Sequence, residues 1–453
     1  MGIFSALSTA VSGLRAQSFA LENISGNIAN SQTIGYKRSD TSFLDLISAD
    51  GPAAYQTAGS VRALTRSSNS VQGSVQNSDI ATNMAINGDG YFIVGAKAGS
   101  AGGGPVFGAE SLYTRRGDFS LDKSGYLVNG AGYYLKALPV DPATGSPSSG
   151  MPVPVQLTKS FLAAKPTQTI TYRANLPQFP LTSQADASVP GSELLPAGLI
   201  DGTGPAGTSI SGDEQSSFLS NSISGGAVTA YDANGNPVSL QLRWGKVSDS
   251  PATWNLFYQS NTSATGTDTA YQNVGTTFTF DSAGQLTSPT GGSVSLAGVS
   301  VNGVGLGDVT MNLGAKGLTQ YADAGGAVQV NALTQDGYAA GEVISVGVTD
   351  GGHVVANYSN GQTLEIARVV LATFNGQDSL QKRDGGAFAE TLDSGPPILG
   401  GSAEITGSAT EASNTDIASE FSKLIVTQQA YSANTRIVST ADQMMQEALG
   451  MKR

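Results

Sequence analysis

The sequence predicts a mainly β protein with α-helical termini: paired N- and C-terminal coiled-coil-like helices plus antiparallel β domains, the outer one inserted in the inner one. Two observations predict it. Apolar residues recur every seven positions at both ends of the chain, whereas in the middle they alternate every two between turns rich in Gly, Asn and Asp.

In residues 1–35, expected as the N-terminal helix, Leu7, Leu14, Leu21 and Ile28 stand seven apart, with Ile3, Ala10, Gln17 and Ile24 in the complementary row. This is a heptad seam with one polar interruption. In residues 409–453, expected as the C-terminal helix, Ile417, Leu424, Tyr431, Val438 and Met445 repeat the device, and Phe421 and Leu449 end the adjoining row. Gln428, Thr435 and Asp442 make the middle of that row polar, so the second seam is the weaker one. Ser413 with Asp416 fits a capping box, in which the hydroxyl accepts an orphan backbone N–H at the helix start.

An amphipathic helix ordinarily packs on a globular core. Here both seams sit at the ends of the chain, and the first is followed by a Ser/Gly/Ala-rich stretch, residues 48–70, that reads as part of a linker over 36–71. The expectation is of two rods standing off the body together, each roughly 45 to 60 Å long at 1.5 Å per residue. Such a pair leaves apolar surface for neighbouring subunits to cover. Leu7, Leu14, Leu21 and Ile28 with Ile417, Phe421, Leu424, Tyr431, Val438 and Met445 are the candidate polymerisation seam.

Between the helices, Phe119-Ser120-Leu121 and Tyr126-Leu127-Val128 flank Asp122-Lys123-Ser124-Gly125, a hairpin whose Gly can take positive φ. Further turns are marked at Asn87-Gly88-Asp89-Gly90, Asn129-Gly130, Asn234-Gly235, Ser359-Asn360-Gly361 and Asp384-Gly385. Pro, Gly and Ser crowd at 139–154, and composition shifts again at 318–332. These shifts place an inner β domain at 72–142 and 326–408 around an inserted outer domain at 143–325. The insert holds both tryptophans, Trp244 and Trp254, enough to seed a core of its own.

Composition excludes several functions. The formal net charge of -12 repels phosphate backbones and no basic stripe is present, which argues against nucleic acid. There is no Cys, hence neither a disulfide scaffold nor thiolate chemistry. No stretch of about 18 apolar residues suggests membrane insertion. Residues 1–15 carry no Lys or Arg ahead of the apolar positions and do not read as a Sec-type signal peptide, so any export route is expected to spare the N-terminus.

Chemistry is sparse. His353, the one histidine, stands at the mouth of an expected strand without a nucleophile-elbow pattern, and a strand-end histidine is its ordinary reading. Asp232-Ala233-Asn234-Gly235-Asn236 opens like a calcium loop, but Arg243 stands where the bidentate Glu belongs, so a β-turn explains it better. Gly303-Val304-Gly305-Leu306-Gly307 opens no helix to hold a phosphate. No catalytic, cofactor-binding or metal residues are expected, and the chain does not read as an enzyme.

Ser12-Gly13-Leu14-Arg15-Ala16-Gln17 and Asn27-Ile28-Ala29-Asn30-Ser31-Gln32-Thr33-Ile34-Gly35-Tyr36-Lys37-Arg38 resemble the N-terminal signature of bacterial flagellar axial proteins of the rod and hook class. Ala85-Ile86-Asn87-Gly88-Asp89-Gly90-Tyr91-Phe92-Ile93-Val94 and Tyr113-Thr114-Arg115-Arg116-Gly117-Asp118-Phe119 are similar to that family's shared β motifs. Tyr358-Ser359-Asn360-Gly361-Gln362, Ser394-Gly395-Pro396, Ala412-Ser413-Asn414-Thr415-Asp416-Ile417 and Gln428-Gln429-Ala430-Tyr431 resemble hook proteins in particular. Thr415 and Ser432 depart from the pattern, where Val and Gln are expected.

The resemblance implies a homopolymer in the flagellar hook, exported through the flagellar type III apparatus without cleavage. It also implies a rod protein, a hook cap protein and a hook-filament junction protein as partners. A distal-rod or junction protein shares the terminal signature and remains an alternative. A secreted β-rich adhesin is the reading from another class, although it gives no reason for heptads at both ends.

Overall fold

The computed structural model describes residues 3–46, 60–102, 104–141, 144–157, 161–199 and 209–450. The chain divides into two compact units: Met1–Lys159 with Val343–Asn357 and Thr363–Arg453, and Ser160–Glu342 with Tyr358–Gln362. Both bounds of the second unit lie later than the composition shifts suggested. Around 139–154 the crowded Pro and Gly mark an edge strand: Val153–Pro154 pairs with Ala137 and Lys136 of the first unit. Gln329–Gln335 pairs with Thr169–Asn175 and so belongs to the second.

In the first unit, α1 (Ile3–Ala29) is free of Pro over 27 residues and rich in Ala, Leu and Ser. It ends where Asn30 folds back, its Nδ2 donating to the Gly26 carbonyl at 2.9 Å. The chain then passes Gly35, at φ +66, where a Cβ would stand 2.6 Å from the Arg116 backbone nitrogen. Only glycine satisfies both conditions.

The stretch expected as a linker is structured at both ends. β1 (Ser39–Asp45) pairs antiparallel with β2 (Val61–Ser67), from Ser39 against Ser67 to Asp45 against Val61. Most of the Ser/Gly/Ala-rich stretch, 47–59, lies outside the described residues. Composition misled because β1 carries Ser and Thr, and its pairing partner lies beyond the low-complexity segment.

The inner β body follows as β3 (Val75–Asn77), β4 (Met84–Asn87), β5 (Tyr91–Ala101), β6 (Gly104–Thr114), β7 (Phe119–Leu121), β8 (Leu127–Asn129) and β9 (Tyr134–Pro139). β5 is its spine, flanked by β6, β9 and Leu371–Thr373. Tyr91 and Tyr113 meet Phe374 edge-on, and Tyr91 meets Phe388 likewise. The β7–β8 hairpin forms as expected: Asp122 Oδ1 accepts the Ser124 and Tyr126 N–H groups at 2.8 Å, and Gly125 has φ +82.

In the second unit a six-stranded and a five-stranded sheet share one core with Trp244, Trp254, Tyr172 and Phe278, all buried. The Trp244 indole donates to the Tyr172 hydroxyl at 2.9 Å, which donates to the Gly225 carbonyl at 3.0 Å, so the polar atoms of this aromatic pair are satisfied inside the core. A short helix, α2 (Gln215–Ser220), buries Phe218. Pairing here is not wholly antiparallel, for Thr169–Asn175 runs parallel to Val304–Asn312 and to Leu318–Thr319. Period-two alternation specifies the buried face of a strand, not the direction of its neighbour.

The last helix is α3 (Ile417–Gly450). Its N-cap is Asp416, whose Oδ1 accepts the Ser419 N–H at 2.8 Å. Ser413 instead accepts from the Thr415 N–H at 3.2 Å, a local turn outside the helix, so the cap lies three residues later than expected.

Candidate assembly site in the terminal helix pair

α1 and α3 pack antiparallel. Asn27 meets Glu420, with Nδ2 donating to Oε2 at 3.0 Å. Fourteen residues back along α1, Gly13 lies against Asn434, fourteen residues on along α3; a Cβ on Gly13 would stand 3.0 Å from that side chain. Two heptads thus run in register between these contacts.

The line of closest approach is built mainly of small and polar residues. On α1 it runs Ala10, Gly13, Ala16, Ala20, Ile24 and Asn27, all buried; on α3 Glu420, Thr427 and Ala441 are buried. The sequence-predicted residues stand beside it. Leu7, Leu14, Leu21 and Ile28 are half-buried, as are Leu424, Val438 and Met445, while Ile417, Phe421 and Tyr431 are exposed. Large side chains cannot occupy the closest approach of two backbones, so the leucine row sits one position past the row of Ala6, Gly13, Ala20 and Asn27. Along the outside of α3, Phe421, Ile425 and Val426 are 49%, 55% and 65% exposed.

At the root of the pair a buried ion node joins distant parts of the first unit. Glu411 Oε1 meets Lys37 Nζ at 2.6 Å, and Glu411 Oε2 meets Arg115 Nη1 at 3.1 Å, all three side chains being 0–1% exposed. The Gly73 N–H donates to Glu411 Oε1 at 2.8 Å, Lys37 Nζ to the Val71 carbonyl at 2.6 Å, and Arg115 Nη2 to the Gly88 carbonyl at 2.6 Å. Burial lowers the Lys37 pKa although Glu411 pulls the other way. Asn414 adds a second tie: its Oδ1 accepts the Arg38 N–H at 2.8 Å, and its Nδ2 donates to the carbonyls of Ser68 and Val71.

Above the node, Lys423 Nζ donates to Asp40 Oδ1 at 2.8 Å and to Glu420 Oε1 at 2.7 Å, fastening α3 to β1. Burial works to raise the Asp40 pKa, but Lys423 and Arg38 outweigh it and hold the carboxyl below its ordinary value. In the sequence Lys37, Arg115 and Asn414 stand out only as members of motifs, and Glu411, Glu420 and Asp40 do not stand out. The available signal was charge inside otherwise apolar or turn-forming motifs, which marks residues that must be paired when buried.

The other candidates sit in an ion pair and a local turn. His353 Nδ1 lies 2.8 Å from Glu365, which also holds Arg368. Asp232 accepts the N–H groups of Asn234 and Asn236, as a β-turn does. Among the described residues no group of three or more His, Cys, Asp or Glu could hold a metal ion, and no helix is long and apolar enough to cross a membrane.

Four family descriptions match the chain: flagella basal body rod protein at 7–37, flagellar hook protein FlgE/F/G D1 domain at 85–171, flagellar basal body protein FlaE D2 domain at 220–338, and flagellar basal body rod FlgEFG protein C-terminal at 406–451. The flagellar hook protein FlgE of Brucella abortus biovar 1 is 30% identical over 460 residues, covering 100% of both chains. The chain belongs to the flagellar hook protein family. The FlgE hook proteins of Salmonella typhimurium and Escherichia coli K12 are 29% and 28% identical, over 98% and 99% of this chain. A crystal structure of Helicobacter pylori flagellar hook protein FlgE2 gives a TM-score of 0.48 at 16% identity, over 73% of this chain and 99% of that one. Full-length likeness to hook proteins supports the hook reading over the junction, distal-rod and adhesin readings.

Proposed function

We propose that this hook-family chain is a structural subunit that self-assembles into the flexible tube coupling the flagellar rod and motor to the filament, and that its terminal helix pair is the polymerising element. The observation that carries this reading is the apolar outer face of α3. Phe421 and Ile425 stay 49% and 55% exposed on a helix whose other side already packs on α1. Copies arranged side by side can cover that face, and repetition at every contact makes a modest gain per subunit large for the polymer.

Export through the flagellar type III apparatus without cleavage, and contacts with rod, hook cap and hook-filament junction proteins, complete the proposal. They are supported by the family relationship and by the rod-type matches at both ends of the chain.

The test is seeded growth of the purified chain. Phe421→Asp and Ile425→Asp alter side chains exposed in the monomer, so the monomer should melt as the parent does. A carboxylate buried unpaired between subunits costs several kcal/mol, so growth should stop. Normal growth of both variants would overturn the helix pair as the polymerising element.

A further inference from the structure

We infer that the free end of one copy's helix pair seats in an apolar groove beside the root of another copy's pair, giving a head-to-tail contact between copies of this chain. The inference rests on the assembly reading above and specifies one of its contacts.

The groove encloses about 430 Å³ between α1, β1 and α3. Ala20 and Ile24 of α1, Phe43 of β1 and Val426 of α3 supply apolar wall. Its charged members, Asp40, Glu420 and Lys423, are paired with one another, and the other polar members are uncharged Ser, Thr and Asn side chains, so no free charge faces an incoming side chain. Phe43 and Val426 are 46% and 65% exposed although they flank a concave space. A cavity of this volume that exposes more apolar than polar surface and whose charges are already paired is suited to apolar side chains rather than a charged ligand.

The matching surface is at the other end of the same helices. Phe4 in the first turn of α1 is 74% exposed, and Leu449 in the last turn of α3 is 73% exposed. Because the helices are antiparallel, these two residues share the end remote from the root. Some twenty residues of α1 separate Phe4 from Ile24, roughly 30 Å at 1.5 Å per residue. A groove and an apolar tip so far apart on one stiff pair cannot meet within a chain, and each needs a second copy.

A contact that joins two different patches of the same molecule does not close on itself as a two-fold contact does. Repeated, it generates a ring where its rotation closes and an open helical array where it does not. Continued growth from seeds, as the assembly reading requires, needs the open kind, whereas an isologous pairing of the exposed helix faces alone would stop at a dimer.

The chain has no cysteine, which allows a direct test. The full chain carrying Phe4→Cys together with Val426→Cys is grown from seeds and oxidised. Tip-in-groove contact should yield a ladder of disulfide-linked dimers, trimers and longer species, with neither single variant giving a ladder. In parallel, Phe4→Glu and Val426→Glu should each elongate at least tenfold more slowly than the parent. Mixed in equal amounts they should form pairs and stop, because one supplies an intact groove and the other an intact tip. Normal elongation of both glutamate variants, or a normal polymer without cross-links, would overturn the contact while leaving helix-driven assembly standing. Failure of the parent chain to grow at all would overturn the assembly reading and this contact with it.

Discussion

Asn27 donates to Glu420 across the helix pair at 3.0 Å, and the same amide donates to the Ser39 carbonyl at 2.9 Å while its oxygen accepts the Ser39 N–H at 2.9 Å. One buried side chain thereby ties α1 to α3 and to the start of β1. Replacing Asn27 with Ala leaves Glu420 and the Ser39 N–H short of partners, at a cost of roughly 1–3 kcal/mol. Hydrogen exchange should show lost protection in α3 around 417–427. Both tryptophans lie in the second unit, so tryptophan fluorescence should melt as in the parent.

Glu411 is the carboxylate that bridges Lys37 and Arg115 in the buried node. Glu411→Gln keeps the shape but leaves two buried cations without a counter-charge. Breaking a buried pair in this way costs about 3–5 kcal/mol. Thermal unfolding followed by circular dichroism should show the first unit melting well below its parental temperature, with the tryptophan signal unmoved. An unchanged transition would show that the node is not what holds the helix root.

Gly13 sits where the helices come closest, with Asn434 3.0 Å from the place a Cβ would take. Gly13→Ala should be within about 1 kcal/mol of neutral, because the gain in helix propensity offsets a small shift of Asn434. Gly13→Leu cannot be absorbed in that way and should separate the pair at a cost of about 1–3 kcal/mol. Protease should then cut α3 faster in the leucine variant than in the alanine variant.

Asp40 titrates below its ordinary value of 3.8 in the folded chain. Its contribution is therefore fully present above 3.8 and is lost as pH falls through the lower, folded value, since protonation then favours the undocked form. Undocking of α3, followed by hydrogen exchange or by proteolysis with an acid-active enzyme, should steepen below pH 4. Asp40→Asn should flatten that dependence; an equally steep profile in the variant would assign the acid response to another carboxylate.

Much of the architecture was legible because it rests on local pattern. The heptads of Leu7 to Ile28 and of Ile417 to Met445 specify helices. Asp122 to Gly125 specifies a turn through one side-chain oxygen and one positive φ, and Trp244 with Trp254 announces a second core. Such features depend on residues within a few positions of one another, where spacing and propensity act directly.

What tertiary structure alone decided is which face meets which partner. The heptad reading chose the largest apolar residues, yet the helices approach along Gly13 and Ala20 because backbones can come close only where side chains are small. The hairpin of β1 and β2 brings Ser39 opposite Ser67 across the low-complexity stretch, and Glu411 finds Lys37 and Arg115 from 374 and 296 residues away. No local pattern encodes such pairings, since each partner is an ordinary charged or polar residue in its own segment. They become necessary only when folding removes water from them and leaves each other as the available counter-charge.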